Sequence, residues 1–273
     1  MTCLLVALAV TGCDFSEECS YTGNAEILAD WDTLWEYIDE TNALTAVFYK
    51  GDGTSVSYPV ERGVACQRVS SGGTRLLVYN AAEGVEVKET ADGYPELQQA
   101  TFYNGDVLAV GECPMVCAGT AELTVPVDGT VYQLVNLAPV VKRLNFKVNV
   151  SNAQSLGGVA SVIASFGGVA TGYSMNERIP TGASATVFFP LEQSGVQSEV
   201  FSHELNVFGV SADGTGQLAV EVKYKNGSSK VYNLNLKATL NKFTKDVFLC
   251  EVELRASETA TNASVTKWTQ ESW

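Results

Sequence analysis

Histidine is almost missing from this sequence. His203 is the only one among 273 residues, which removes most histidine-based metal sites and acid–base schemes. Positive charge is scarce too: 17 Lys and Arg stand against 31 Asp and Glu, a formal net charge of −14. An excess of that size repels phosphate backbones and anionic lipid surfaces, so nucleic acid is not an expected partner. Charged residues of either sign make up 18%, hydrophobic residues 46%. A chain of that composition buries a core instead of staying disordered. No apolar run approaches the ~20 residues that a membrane-crossing helix needs. At about 150 residues per domain, the length suggests two domains.

Catalytic signatures are also lacking. The chain has no Gly-x-Ser-x-Gly elbow, no Walker-type loop and no dinucleotide fingerprint. His203 sits in Phe201-Ser202-His203-Glu204-Leu205, but a Ser–His–carboxylate relay needs three groups converging in space. Nothing selects a carboxylate pair for sugar hydrolysis. No catalytic residue, cofactor or metal is therefore assigned. Cys113 and Cys117 form a C-x3-C pair around Pro114, without the second ligand pair that a zinc site requires. A disulfide among Cys19, Cys66, Cys113 and Cys117 stays open, with no pairing selected. Cys250 alternates with Phe248, Val252 and Leu254, the pattern of a core thiol.

What the chain does have begins at its N-terminus. Residues 1–12 carry no charge, and Leu4 to Val10 is a short apolar run followed by Thr11-Gly12-Cys13. This resembles the lipobox of bacterial lipoproteins, although no Lys or Arg precedes the run. The resemblance implies a signal peptide over residues 1–12, cleavage before Cys13 and a diacylglyceryl group on its thiol. Asp14, Glu17 and Glu18 follow closely, similar to the acidic surface-export tag of Bacteroidetes lipoproteins. The expected location is the outer membrane, lipid-anchored and surface exposed, with hydrocarbon burial worth about 0.8 kcal/mol per methylene. Asp32-Thr33-Leu34 resembles the Bacteroides O-glycosylation triplet and makes Thr33 a candidate modification site.

Turns and alternation set the fold class. Six Asx-Gly pairs, such as Asp128-Gly129 and Asn226-Gly227, punctuate the chain and accept the positive φ of tight hairpins. Between them lie runs of period two: Leu144 to Val150, Leu218 to Tyr224, and Tyr232 to Leu240. Such alternation buries one face and wets the other. Lys223 to Leu236 is the clearest hairpin. An all-β chain of antiparallel sandwiches is expected, with one short helix near residues 32–40, where Trp31, Leu34, Trp35 and Ile38 fall at helical spacing. Pro139 is expected to interrupt pairing, which divides the mature chain into domains at 13–139 and 140–273. The repeated Gly-Gly-Val-Ala at 157–160 and 167–170 reads as a pair of turns.

Several of these segments together resemble one family. They are the lipobox, Ala29-Asp30-Trp31, the strand Ala43 to Lys50 running into Gly51-Asp52-Gly53, Val141 to Val148, and the small-residue stretch Phe166 to Tyr173. Their order is similar to that of the fimbrillin-like lipoproteins of Bacteroidales, which include shaft, tip and anchor subunits of type V pili. The resemblance implies two tandem transthyretin-like β-sandwich domains, other fimbrial subunits as partners, and assembly by strand exchange after an arginine-specific cleavage. No arginine lies between Cys13 and Arg62, which favours an anchor or accessory subunit over a shaft subunit. The C-terminal stretch with Val265, Lys267, Trp268 and Trp273 is a candidate partner-facing strand; the alternative is that Trp268 closes the second core. The rival function is a surface glycan-binding lipoprotein of a polysaccharide-uptake system, with Trp31, Trp35, Tyr37 or Trp268 as sugar platforms. A host or glycan ligand fits either.

Overall fold

The structure, a computed structural model, describes residues 21–30, 43–51, 53–60, 64–80, 82–89, 94–195, 199–256 and 262–272. In chain order the strands are β1 (Thr22–Asp30), β2 (Leu44–Lys50), β3 (Ser55–Val60), β4 (Val64–Ser70), β5 (Gly72–Asn80), β6 (Val85–Glu89), β7 (Pro95–Gln99), β8 (Thr101–Asn104), β9 (Val107–Val110) and β10 (Cys117–Val125). There follow β11 (Thr130–Asn136), β12 (Ala138–Pro139), β13 (Lys142–Ser151), β14 (Val159–Ser174), β15 (Ile179–Gln193), β16 (Val200–Val207), β17 (Gln217–Tyr224), β18 (Ser229–Asn235), β19 (Val247–Arg255) and β20 (Asn262–Glu271). The all-β expectation holds. Most pairs are antiparallel, but β1–β11, β13–β19 and β9–β15 are parallel.

The first sandwich sets the sheet β11–β1–β4 against the sheet β12–β10–β5–β2–β3. Ala25, Ile27 and Ala29 of β1 meet Phe48, Leu76, Val78 and Leu123 across the gap. The second sandwich has layers β18–β17–β14–β15 and β16–β13–β19–β20. β15 joins them, pairing with β14 along most of its length and with β16 at Glu192 and Gln193. Alternation explains the core: Leu144, Phe146, Val148 and Val150 point inward from β13 and are fully buried, as are Phe248 and Cys250 of β19.

A third apolar cluster forms the seam between the sandwiches. Val47, Tyr49 and Leu77, on the outer face of the five-stranded sheet, pack with Leu97, Val116, Met175 and Phe208. That sheet is thus covered on both faces, which is why Ala46 to Tyr49 and Leu76 to Val78 read as continuous apolar runs. Strands β6 to β9 reach across. β7 pairs with the tip of β14, and β9 pairs with β15.

Three local readings are corrected, and one left open is decided. Pro139 does not interrupt pairing: β12 pairs with β10 as an edge strand, Pro139 opposite Cys117, a place where a missing N–H is tolerated. The alternation read to Leu240 ends at Asn235, and α1 (Lys237–Leu240) follows. Leu236 and Leu240 are four apart, a spacing that suits one helix face as well as one strand face, and Asn235 Oδ1 accepts the Lys237 N–H at 3.0 Å. The two Gly-Gly sites are not twin turns. Gly157 ends a 3-10 turn (Ala153–Leu156), whereas Gly168 lies inside β14 at a register shift. A Cβ on Gly168 would stand 2.9 Å from Gly214 Cα, at φ +102, so glycine is required there. Finally, Cys66, Cys113, Cys117 and Cys250 are free thiols. Cys113 belongs to the seam and Cys117 to the first core. The helix expected at 32–40 lies outside the described residues.

Candidate docking edge

β20 ends one side of the second sandwich and β18 the other; the two face each other without being hydrogen-bonded neighbours. Between them runs a groove of about 470 Å³, lined by Val231 and Asn233 of β18, Glu253 and Arg255 of β19, and Asn262 and Ser264 of β20. Edge strands carry a row of main-chain donors and acceptors that can template an added strand. The groove floor is firm. Tyr232 and Tyr224 share a buried hydroxyl contact of 2.8 Å, and burial followed by that contact pushes the Tyr224 hydroxyl well above its ordinary range.

β20 pairs with β19 through a register shift between Glu251 and Val252. Thr266 drops out of the ladder there and donates its hydroxyl to the Glu251 carbonyl at 3.1 Å. The candidate partner-strand residues separate at this point. Val265 and Trp268 lean on the second core, Trp268 stacking on Phe248 with centroids 6.3 Å apart. Lys267 is exposed, opposite Glu251. Trp268 therefore packs on the second core and is partly buried. Trp273, Thr33, Cys13, Trp31, Trp35 and Tyr37 lie outside the described residues.

His203 has a structural setting. Its ring stacks on Phe189, centroids 5.1 Å apart. Nε2 lies 3.0 Å from Glu112 Oε1, but off the line a hydrogen bond needs. The contact sets the segment after β9 against β16. Among the described residues no cluster of three or more His, Cys, Asp or Glu side chains could hold a metal ion, and no helix is long and apolar enough to cross a membrane.

Two β-sandwiches joined by an apolar seam, with an open edge at the end of the second, define a fold shared by candidate adhesins of Bacteroides and by a fimbrial anchor protein. A candidate adhesin from Bacteroides ovatus is similar with a TM-score of 0.66 at 16% identity, over 93% of this chain and 100% of that one. The fimbrial anchor protein Mfa2 from Porphyromonas gingivalis is similar with a TM-score of 0.56 at 13% identity, over 92% of this chain and 97% of that one. A candidate polysaccharide-binding protein from Bacteroides thetaiotaomicron gives 0.57 at 11% identity, over 89% and 96%. No curated relative matches the chain. The model of the fimbrillin-A associated anchor proteins Mfa1 and Mfa2 matches residues 103–272, well over half of the sequence. The chain belongs to that family.

Proposed function

We propose that this protein is a structural and adhesive subunit of a fimbria-like assembly on the cell surface, in an anchor or accessory position. The observation that carries the reading is the family match over residues 103–272. Supporting it are the lipobox at Cys13, which would tie the chain to the outer membrane, and the lack of an arginine before Arg62, which argues against maturation by arginine-specific cleavage. In this reading residues 13–139 and 140–273 are the two modules. Other fimbrial subunits dock on the β20 edge, where Lys267 faces outward while Val265 and Trp268 hold the strand in place. Lipid at Cys13 sets which end faces the membrane.

Mass spectrometry of the native N-terminus, combined with crosslinking of envelope extracts, tests the proposal. A chain beginning at acylated Cys13 and crosslinked to filament subunits is the expected result. A start just after an arginine would assign the chain to the shaft instead. Recovery of the monomer alone would remove the fimbrial role.

A further inference from the structure

The two layers of the second sandwich turn different outer faces to solvent. On the layer β16–β13–β19–β20 ion pairs lace the face: Arg143 with Glu204 at 3.7 Å, Lys147 with Glu251 at 3.7 Å, and Arg255 with Glu253 at 3.4 Å. A sheet face of that kind is built to meet water. The layer β18–β17–β14–β15 is not. Residues directly opposite on paired strands share a face, so register sets Val231, Glu221, Ile163 and Pro190 in one outward row. Phe188 lies one row on, across from Ser165. Val231 is 49% exposed, Ile163 41% and Phe188 39%. Lys223 lies in the row on the other side of Glu221, opposite Ser161 and Ser229. Glu192 stands at the corner where β15 crosses to β16. Glu221 and Lys223 are thus the charges in the middle of an otherwise neutral face, and neither makes an ion pair among the described residues.

An exposed apolar patch with sparse charge marks contact with another protein surface. Here its own charges select the partner. Glu221 and Lys223 are two residues apart on β17 and point to the same side. A two-fold axis that crosses the strands midway between them sets each carboxylate over the ammonium of a second copy. It does so twice, because a two-fold interface meets itself. Ile163 and Val231, in the row of Glu221, then flank these pairs from both copies and keep water from them. We propose that this face binds a second copy of the chain in an isologous, face-to-face dimer. A net charge of −14 on each copy opposes association, and a face with one charge of each sign at its centre lets two copies meet with little repulsion. Four strands about 4.8 Å apart and about seven residues long cover roughly 450 Å² on each copy. That is the low end for a specific interface, so the dimer is weak in dilute solution. The inference stands apart from the fimbrial reading, because it uses neither the lipid nor the β20 edge.

Sedimentation equilibrium of the purified full chain tests it. The weight-average mass rises from the 29.2 kDa of one chain toward twice that value between about 10 μM and about 1 mM protein. Glu221→Lys and Lys223→Glu each weaken association at least about tenfold, and the double variant carrying both restores it. Relief of general repulsion would act differently, strengthening association in Glu221→Lys because each copy becomes less negative. Ile163→Asp, at an exposed position, removes the dimer. A mass of one chain at about 1 mM, tighter association in Glu221→Lys, a double variant as weak as the single ones, or an unchanged dimer in Ile163→Asp would each overturn the proposal.

Discussion

In the second sandwich, Phe146 packs between Phe166, tilted at a centroid distance of 5.5 Å, and Phe189, stacked at 5.6 Å, all three nearly inaccessible to solvent. In the first, Phe48 is the one buried phenylalanine of its core among the described residues, and its ring neighbour is the partly buried Tyr58, 5.9 Å away. The outer face of the three-stranded sheet is wetter still, with the cross-strand partners Leu28 and Leu134 exposed beside Tyr132. The second sandwich is therefore held from inside by aromatic packing. The first is thin and depends on the seam, where its five-stranded sheet finds a second apolar partner.

The sharpest way to break this contrast is to empty both cores. Phe146→Ala removes the centre of a packed aromatic group whose neighbours cannot collapse into the space, and we expect a loss of about 4–5 kcal/mol, at the upper end for such changes. Phe48→Ala should cost about 3 kcal/mol, because Tyr58 can move inward. Denaturant unfolding of the two variants measures the difference. Equal losses would mean that the first core is as rigid as the second.

A smaller effect should follow from cutting a polar tie at the seam. Asn80, at the end of β5, is 2% exposed. Its Nδ2 donates to the Met115 carbonyl at 2.8 Å, and its Oδ1 accepts the Cys117 N–H at 2.6 Å. These bonds fix the segment that leads from the seam into β10. Asn80→Ala leaves a buried carbonyl and N–H without partners, at a cost of about 1–3 kcal/mol. If the first sandwich leans on the seam, calorimetry should show its transition separating below that of the second. A single transition shifted as a whole would show the two sandwiches to be coupled by other contacts.

How much of this was legible in the sequence depends on how local each interaction is. Leu144 to Val150 and Leu218 to Tyr224 read correctly because their strict alternation matches a sheet with one buried face. The hairpin turning at Asn226-Gly227 was equally plain, since a positive φ at Gly227 is what such a pair supplies. β8 gave no signal: all four of its residues are exposed. The crossing of β7 and β9 onto β14 and β15 was equally hidden, because those partners lie more than 70 residues away and pattern alone does not reveal a distant pairing. The stacking of Trp268 on the second core was one of the two readings open from sequence. The groove at the β20 edge was invisible, because only the sheet order brings Val231 of β18 near Asn262 of β20.

The cysteines give the gentlest probe of the comparison, because each apolar cluster holds one. Cys117 sits in the first core, Cys113 in the seam and Cys250 in the second core. Burial pushes each of these thiols from an ordinary 9.0 up to about 12, with Glu251 adding to the effect at Cys250. A thiol whose pKa is raised in the folded state favours folding fully below its unfolded value. That contribution is lost as pH rises from about 9 toward about 12. Replacing any one thiol with alanine should cost only about 1 kcal/mol at neutral pH, the loss of a small apolar group, while flattening part of the alkaline decline. Cys66 is exposed and should react with an alkylating reagent at once at pH 8, whereas the three buried thiols wait for local opening. If the first sandwich is the thinner one, Cys117 is labelled before Cys250, with Cys113 following Cys117 as the seam releases. Labelling of Cys250 first would reverse the ranking of the two cores.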